Sequence, residues 1–139
     1  MASPSDTGFA GVRAMTRIEQ ELVLLRSKFP DAALQGQWVL LPSYPVPNPG
    51  WGADSVKVAF PIPAAYPAQK PYAFYVSPPL RVGASIPGNA TEASDPVFDG
   101  EWTKFSWDCQ DWSPAAEVAG GSNLLHWALS FHERLKDYS

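Results

Sequence analysis

One stretch limits what this chain can fold into: residues 55–79, SVKVAFPIPAAYPAQKPYAFYVSPP. Val56, Val58 and Phe60 alternate with Ser55, Lys57 and Ala59, the period of two that a half-buried strand requires. Pro61, Pro63, Pro67 and Pro71 then exclude helix and regular ladder pairing, because proline fixes φ and has no N–H to donate. Residues 72–76, YAFYV, are aromatic and β-prone, and Pro78-Pro79 stops them. Two strands therefore flank a stiff connector.

The segment before this stretch supplies a helix and a first strand. Thr16 and Glu19 have the spacing of a capping box. Ile18, Leu22, Leu25 and Phe29 then fall on one helical face, and Pro30 ends the helix. Residues 33–41 read as a strand centred on WVLL. Residues 42–52 read as a loop, with room for a short edge strand around Tyr44. Residues 1–15 are small and polar and are expected to form a disordered tail, leaving 16–139 as one domain.

After the stretch, residues 80–100 show no sustained period, which predicts a long irregular segment. Residues 101–114, EWTKFSWDCQDWSP, are too aromatic for a free linker and should lie against the body of the domain. A final helix is predicted over 123–137, with Ser122 as its N-cap and Leu124, Ala128, Phe131 and Leu135 as its apolar stripe. A run of three or four antiparallel strands between segregated helices is α+β.

Composition narrows the function classes. With 139 residues and 45% hydrophobic content, one core fits the whole chain. A net charge of −4 with scattered Lys and Arg argues against a nucleic-acid partner. No apolar run reaches the ~20 residues of a membrane span, so no membrane role is expected. The first residues lack the basic and apolar regions of a signal peptide. The single cysteine fits a reducing cytoplasm.

Cys109 is that cysteine. A nucleophilic thiol is usually activated by a histidine, a cation or a helix N-terminus. Asp108 and Asp111 act in the opposite sense, since nearby negative charge disfavours a thiolate. Those carboxylates suit another task, assisting an incoming amine or positioning a substrate. The residues alone leave Cys109 open as nucleophile or as small buried hydrophobe. Ser106 is a second nucleophile candidate, with only Asp108 nearby as a base; the competing reading is a hydrogen-bonded loop serine. His126 and His132 are six apart on the last helix, unlike the i, i+4 pair of a zinc site, so no metal is expected. No cofactor motif is present: there is no GxGxxG, P-loop or HExxH.

The order of elements, with Pro63, Tyr66-Pro67, Pro71 and the YAFYV strand, resembles the ubiquitin-conjugating enzyme superfamily (UBC fold). Trp112-Ser113-Pro114 resembles the Trp-x-Pro that follows the active-site segment there. Trp102, Phe105, Ser106 and Trp112 together make the chain most similar to the bacterial branch called prokaryotic family E. The resemblance implies an N-terminal helix, an antiparallel meander of about four strands, a long irregular active-site segment and a C-terminal helix. It also implies a cytoplasmic bacterial pathway with a ThiF-like activating enzyme, a ubiquitin-like protein and often a JAB-type metallopeptidase. If the chain is such a carrier, Cys109, its single thiol, would take the acyl group, with Asp108 or Asp111 orienting the acceptor. The chain departs from the eukaryotic pattern in two places. There the cysteine lies farther upstream, at a position that falls near Lys104 here, and a His-Pro-Asn motif is missing. Three functions stay open: a carrier enzyme, a catalytically inactive variant that binds a ubiquitin-like protein or its activator, and an RWD-like contact domain.

Overall fold

A computed structural model describes residues 16–47, 54–79, 90–108 and 111–136. Among these, two helices pack on one face of a six-stranded antiparallel sheet. The strands are β1 (Ala33–Gln35), β2 (Trp38–Pro45), β3 (Ser55–Pro61), β4 (Tyr72–Ser77), β5 (Ala90–Ala93) and β6 (Trp102–Asp108). Their spatial order is β1-β2-β3-β4-β6-β5, so β6 returns to lie between β4 and β5. The architecture is α+β and UBC-like, as expected, with more sheet than a four-strand meander.

Helix α1 (Arg17–Arg26) begins with the capping box: Glu19 N–H donates to Thr16 Oγ1 at 3.1 Å, and Thr16 N–H donates to Glu19 Oε1 at 2.8 Å. It ends at Ser27, before Pro30, yet Phe29 still reaches the core. The predicted strand over 33–41 is instead a hairpin, turning at Gly36 with φ 63. Strand β2 then runs on through the supposed loop to Pro45. A register shift between Leu41 and Tyr44 inserts an extra residue at Pro42 and Ser43. The bulge resets the alternation, so that Tyr44 points inward after Val39 and Leu41. Proline at a bulge removes no ladder bond, which is why Pro42 does not end the strand.

Val56, Val58 and Phe60 of β3 face the helices, as their alternation predicts. Where β4 pairs with β6 the register shifts again: β6 carries an extra residue at Ser106 and Trp107, opposite Ala73 of β4, whose φ is 68. A non-glycine residue in that region is strained, and the bulge is what holds it there. The largest differences from the sequence reading lie after β4. Residues 90–93 and 102–108 are strands rather than irregular chain.

Helix α2 (Leu124–Leu135) is capped by Asn123, whose Oδ1 accepts the His126 N–H at 2.9 Å. Asn123 therefore takes the N-cap position predicted for Ser122. Phe131 sits at the centre of the core. Its ring lies 4.1 Å from Phe74, 5.0 Å from Trp127, 5.8 Å from Phe60 and 5.9 Å from Tyr44, centroid to centroid. The opposite sheet face holds a smaller cluster, Ala59, Tyr75 and Trp102, with Trp38, Leu40, Ala93 and Phe98 against it. No helix among the described residues is long and apolar enough to cross a membrane.

Candidate active site

Two of the predicted site residues, Asp108 and Asp111, lie at the end of β6 and just before Trp112. Cys109, the candidate thiol, lies outside the described residues. Asp108 closes β6, opposite Tyr72 of β4. Its Oδ1 lies 2.9 Å from Lys70 Nζ, and both side chains are more than 40% exposed. A pair so open to water contributes about 0–1 kcal/mol, so it marks a location more than it fastens one. Asp111 is exposed and has φ 55, a region that aspartate tolerates better than most residues. It turns the chain from the end of β6 into Trp112.

Ser106 is exposed. His126 and His132 belong to no group of metal-binding side chains, and none exists among the described residues. Trp107 points back toward α2 and donates its indole N–H to Ser130 Oγ at 3.0 Å. The aromatic segment is thus sheet, fixed to the helix layer beneath it.

The segment after Asp111 is held from two sides. Trp112 Nε1 donates to the Pro67 carbonyl at 2.8 Å, and its ring lies 5.7 Å from Tyr66. The Tyr66-Pro67 peptide is cis. Farther along, Ser122 N–H donates to the Ser113 carbonyl at 2.9 Å, and Ser113 N–H donates to Ser122 Oγ at 2.8 Å. These bonds close residues 113–122 into a loop. At its waist a Cβ on Gly121 would lie 2.5 Å from the Ser113 carbonyl oxygen and 2.7 Å from Ala115 N. Only glycine fits there, so Gly121 provides the close approach that the loop needs.

Beneath Tyr66 lies a residue that the sequence reading passed over. Glu21 of α1 is fully buried. Its Oε2 accepts from Tyr66 Oη at 2.6 Å and from Arg17 Nε at 2.8 Å. Its Oε1 accepts from the Leu124 N–H, the first amide of α2, at 2.7 Å. A guanidinium, a phenol and the first amide of a helix thus all donate to its two oxygens. Arg17 also reaches the Ala115 carbonyl. The Tyr66 phenol is pushed well above its ordinary pKa, first by burial and then by its hydrogen bond to Glu21. It therefore stays neutral and donates. The signal was available, because position 21 lies three residues after Ile18 and one before Leu22, inside the apolar stripe.

A model of the family described as Prokaryotic E2 family E matches residues 18–130 of the chain. That span contains all of α1 but its first residue, the whole sheet, the Tyr66 turn, Trp112 and the first part of α2. No curated protein and no solved structure matched.

Proposed function

Because the chain belongs to Prokaryotic E2 family E, we propose that it carries a ubiquitin-like protein and transfers it to an amine. The family match over residues 18–130 carries this reading, since it spans the Tyr66 turn, β6 and the Trp112 segment. A ThiF-like activating enzyme presents the C-terminal acyl group of the ubiquitin-like protein. The Cys109 thiolate attacks that carbonyl carbon, the bond to the activator's leaving group breaks, and a thioester forms. An acceptor amine then attacks the thioester. The new C–N bond replaces the C–S bond, the thiolate leaves, and the amine's proton passes to a carboxylate or to water.

Asp108 and Asp111 flank Cys109 in sequence and are the groups that orient the acceptor amine. A JAB-type metallopeptidase is the pathway member that would process or remove the ubiquitin-like protein. A reducing cytoplasm suits this chemistry, because it keeps the only thiol free.

A second reading draws on the Lys70–Asp108 pair at 2.9 Å. A resident ammonium on the acceptor carboxylate suits a binding module that holds the ubiquitin-like protein or its activator without transfer. Reconstitution separates the two. Incubation with the activator, ATP and the ubiquitin-like protein should yield a thiol-sensitive conjugate that Cys109→Ala abolishes. Measurable binding with no conjugate would favour the module.

A further inference from the structure

Glu21 is a carboxylate in a place where a leucine would cover the same area. Removing a carboxylate from water costs several kcal/mol unless its partners are well placed. Here three donors converge on it from three separate elements: Arg17 in α1, Tyr66 in the proline-rich turn and the Leu124 amide that starts α2. Only a group with two acceptor oxygens meets all three. A glutamine must turn its NH2 toward either the Leu124 N–H or the Arg17 and Tyr66 donors, which leaves one side unsatisfied.

The same three elements frame the segment after the site. Tyr66 lies against Trp112, Pro67 accepts from the Trp112 indole, Arg17 reaches Ala115, and Leu124 follows the loop closed by Ser113 and Ser122. Removing Glu21 would therefore loosen both ends of residues 111–122 at once. The surrounding apolar packing of α1 depends on Leu22 and Leu25 instead.

We propose that Glu21 is a positioning residue: through Tyr66 and Trp112 on one side and the start of α2 on the other, it sets where Asp111 and the segment after it stand. The proposal rests on the reading that the transfer site lies at Asp108 and Asp111. It gives α1 a part in the chemistry that no contact with substrate requires.

Cys109 is the only thiol, so its alkylation by iodoacetamide reports on this region without any partner protein. The experiment measures the pH profile of that alkylation in the full chain, in wild type, Glu21→Gln and Tyr66→Phe. A carboxylate at Asp111 that is less firmly held weighs less against the thiolate. The midpoint should therefore fall in both variants, by at least about 0.3 pH unit, a twofold change in thiolate at fixed pH. Glu21→Gln should show the larger shift. If Glu21→Gln does not fold, Tyr66→Phe decides alone, since it keeps the ring on Trp112 and deletes one hydrogen bond. A midpoint that is unchanged or raised, with only thermal stability lowered, would make Glu21 merely structural and overturn the proposal. That outcome is independent of whether Cys109→Ala removes the conjugate, which tests the transfer reading itself.

Discussion

The two faces of the sheet are built differently. The helix-covered face is mainly apolar, with Leu, Val and aromatic side chains from four strands and both helices around Phe131. The apolar cluster on the outer face is smaller, Ala59, Tyr75 and Trp102, beneath the chain at residues 94–100. There two aromatic side chains bond to that covering chain. Tyr75 Oη donates to Asp95 at 3.0 Å, and Trp102 Nε1 donates to the Phe98 carbonyl at 3.2 Å. Gly100 completes this strap at φ 126, where a Cβ would meet Ser77 Oγ at 2.9 Å. The inner face is cohesive through area and can fail only as a whole. The outer face is tied down bond by bond, so it can open locally while the domain stays folded.

The largest test of that contrast is Phe131→Ala. It removes a ring that touches four others and should cost about 3–5 kcal/mol, read as a lower denaturant midpoint for the entire domain. Trp102→Phe on the outer face should cost about 1–2 kcal/mol, from lost ring area and one lost hydrogen bond. Its effect should concentrate in hydrogen exchange at residues 94–100, with the amides of α2 unchanged. Equal acceleration in α2 would show that the two faces are one cooperative unit. Thr16→Ala removes the capping bond to Glu19 and should cost about 1 kcal/mol, with exchange faster in the first turn of α1.

The smallest effect is alkaline. Burial raises the Tyr44 phenol far above its ordinary value, against a weaker opposing pull from the backbone at His132. Burial and the bond to Asp95 raise Tyr75 as well. A raised phenol pKa stabilises the fold below the unfolded value, about 10, and that contribution is lost as pH rises above it. Denaturant midpoints should therefore hold up to about pH 10 and fall progressively above it. Tyr44→Phe should flatten that slope more than Tyr75→Phe, because Tyr75 lies on the thinner face and water screens it. The reverse order would contradict the contrast.

The inner face was legible because it obeys simple periods. Val56, Val58 and Phe60 alternate, and Leu124, Ala128, Phe131 and Leu135 fall on one helical stripe. The Thr16 capping box and the proline-rich turn were legible for equally local reasons. Strand β6 was not recognised as a strand, because both of its faces are covered. Trp102 is buried outward, Thr103 and Phe105 inward, so no alternation of apolar and polar residues survives. The extension of β2 was hidden by Pro42, which sits at a bulge. Of the site, Asp108 closes β6 and Asp111 precedes Trp112, a placement the sequence did not imply because β6 itself was not legible. Glu21 stands visibly in the apolar stripe four residues after Arg17, but its role stayed hidden because its other two partners, Tyr66 and the Leu124 amide, are remote in sequence. The bond to Leu124 spans more than a hundred residues.

The central claim is that Cys109 carries the acyl group, and a single substitution tests it directly. In Cys109→Ser the hydroxyl replaces the thiol at the same position. Incubated with activator, ATP and the ubiquitin-like protein, wild type should form an adduct that excess thiol cleaves. Cys109→Ser should form one that resists thiol, yields to mild base and maps to residue 109 by mass spectrometry. A thiol-sensitive adduct that persists in Cys109→Ser, or an adduct at Ser106 in both proteins, would contradict the account.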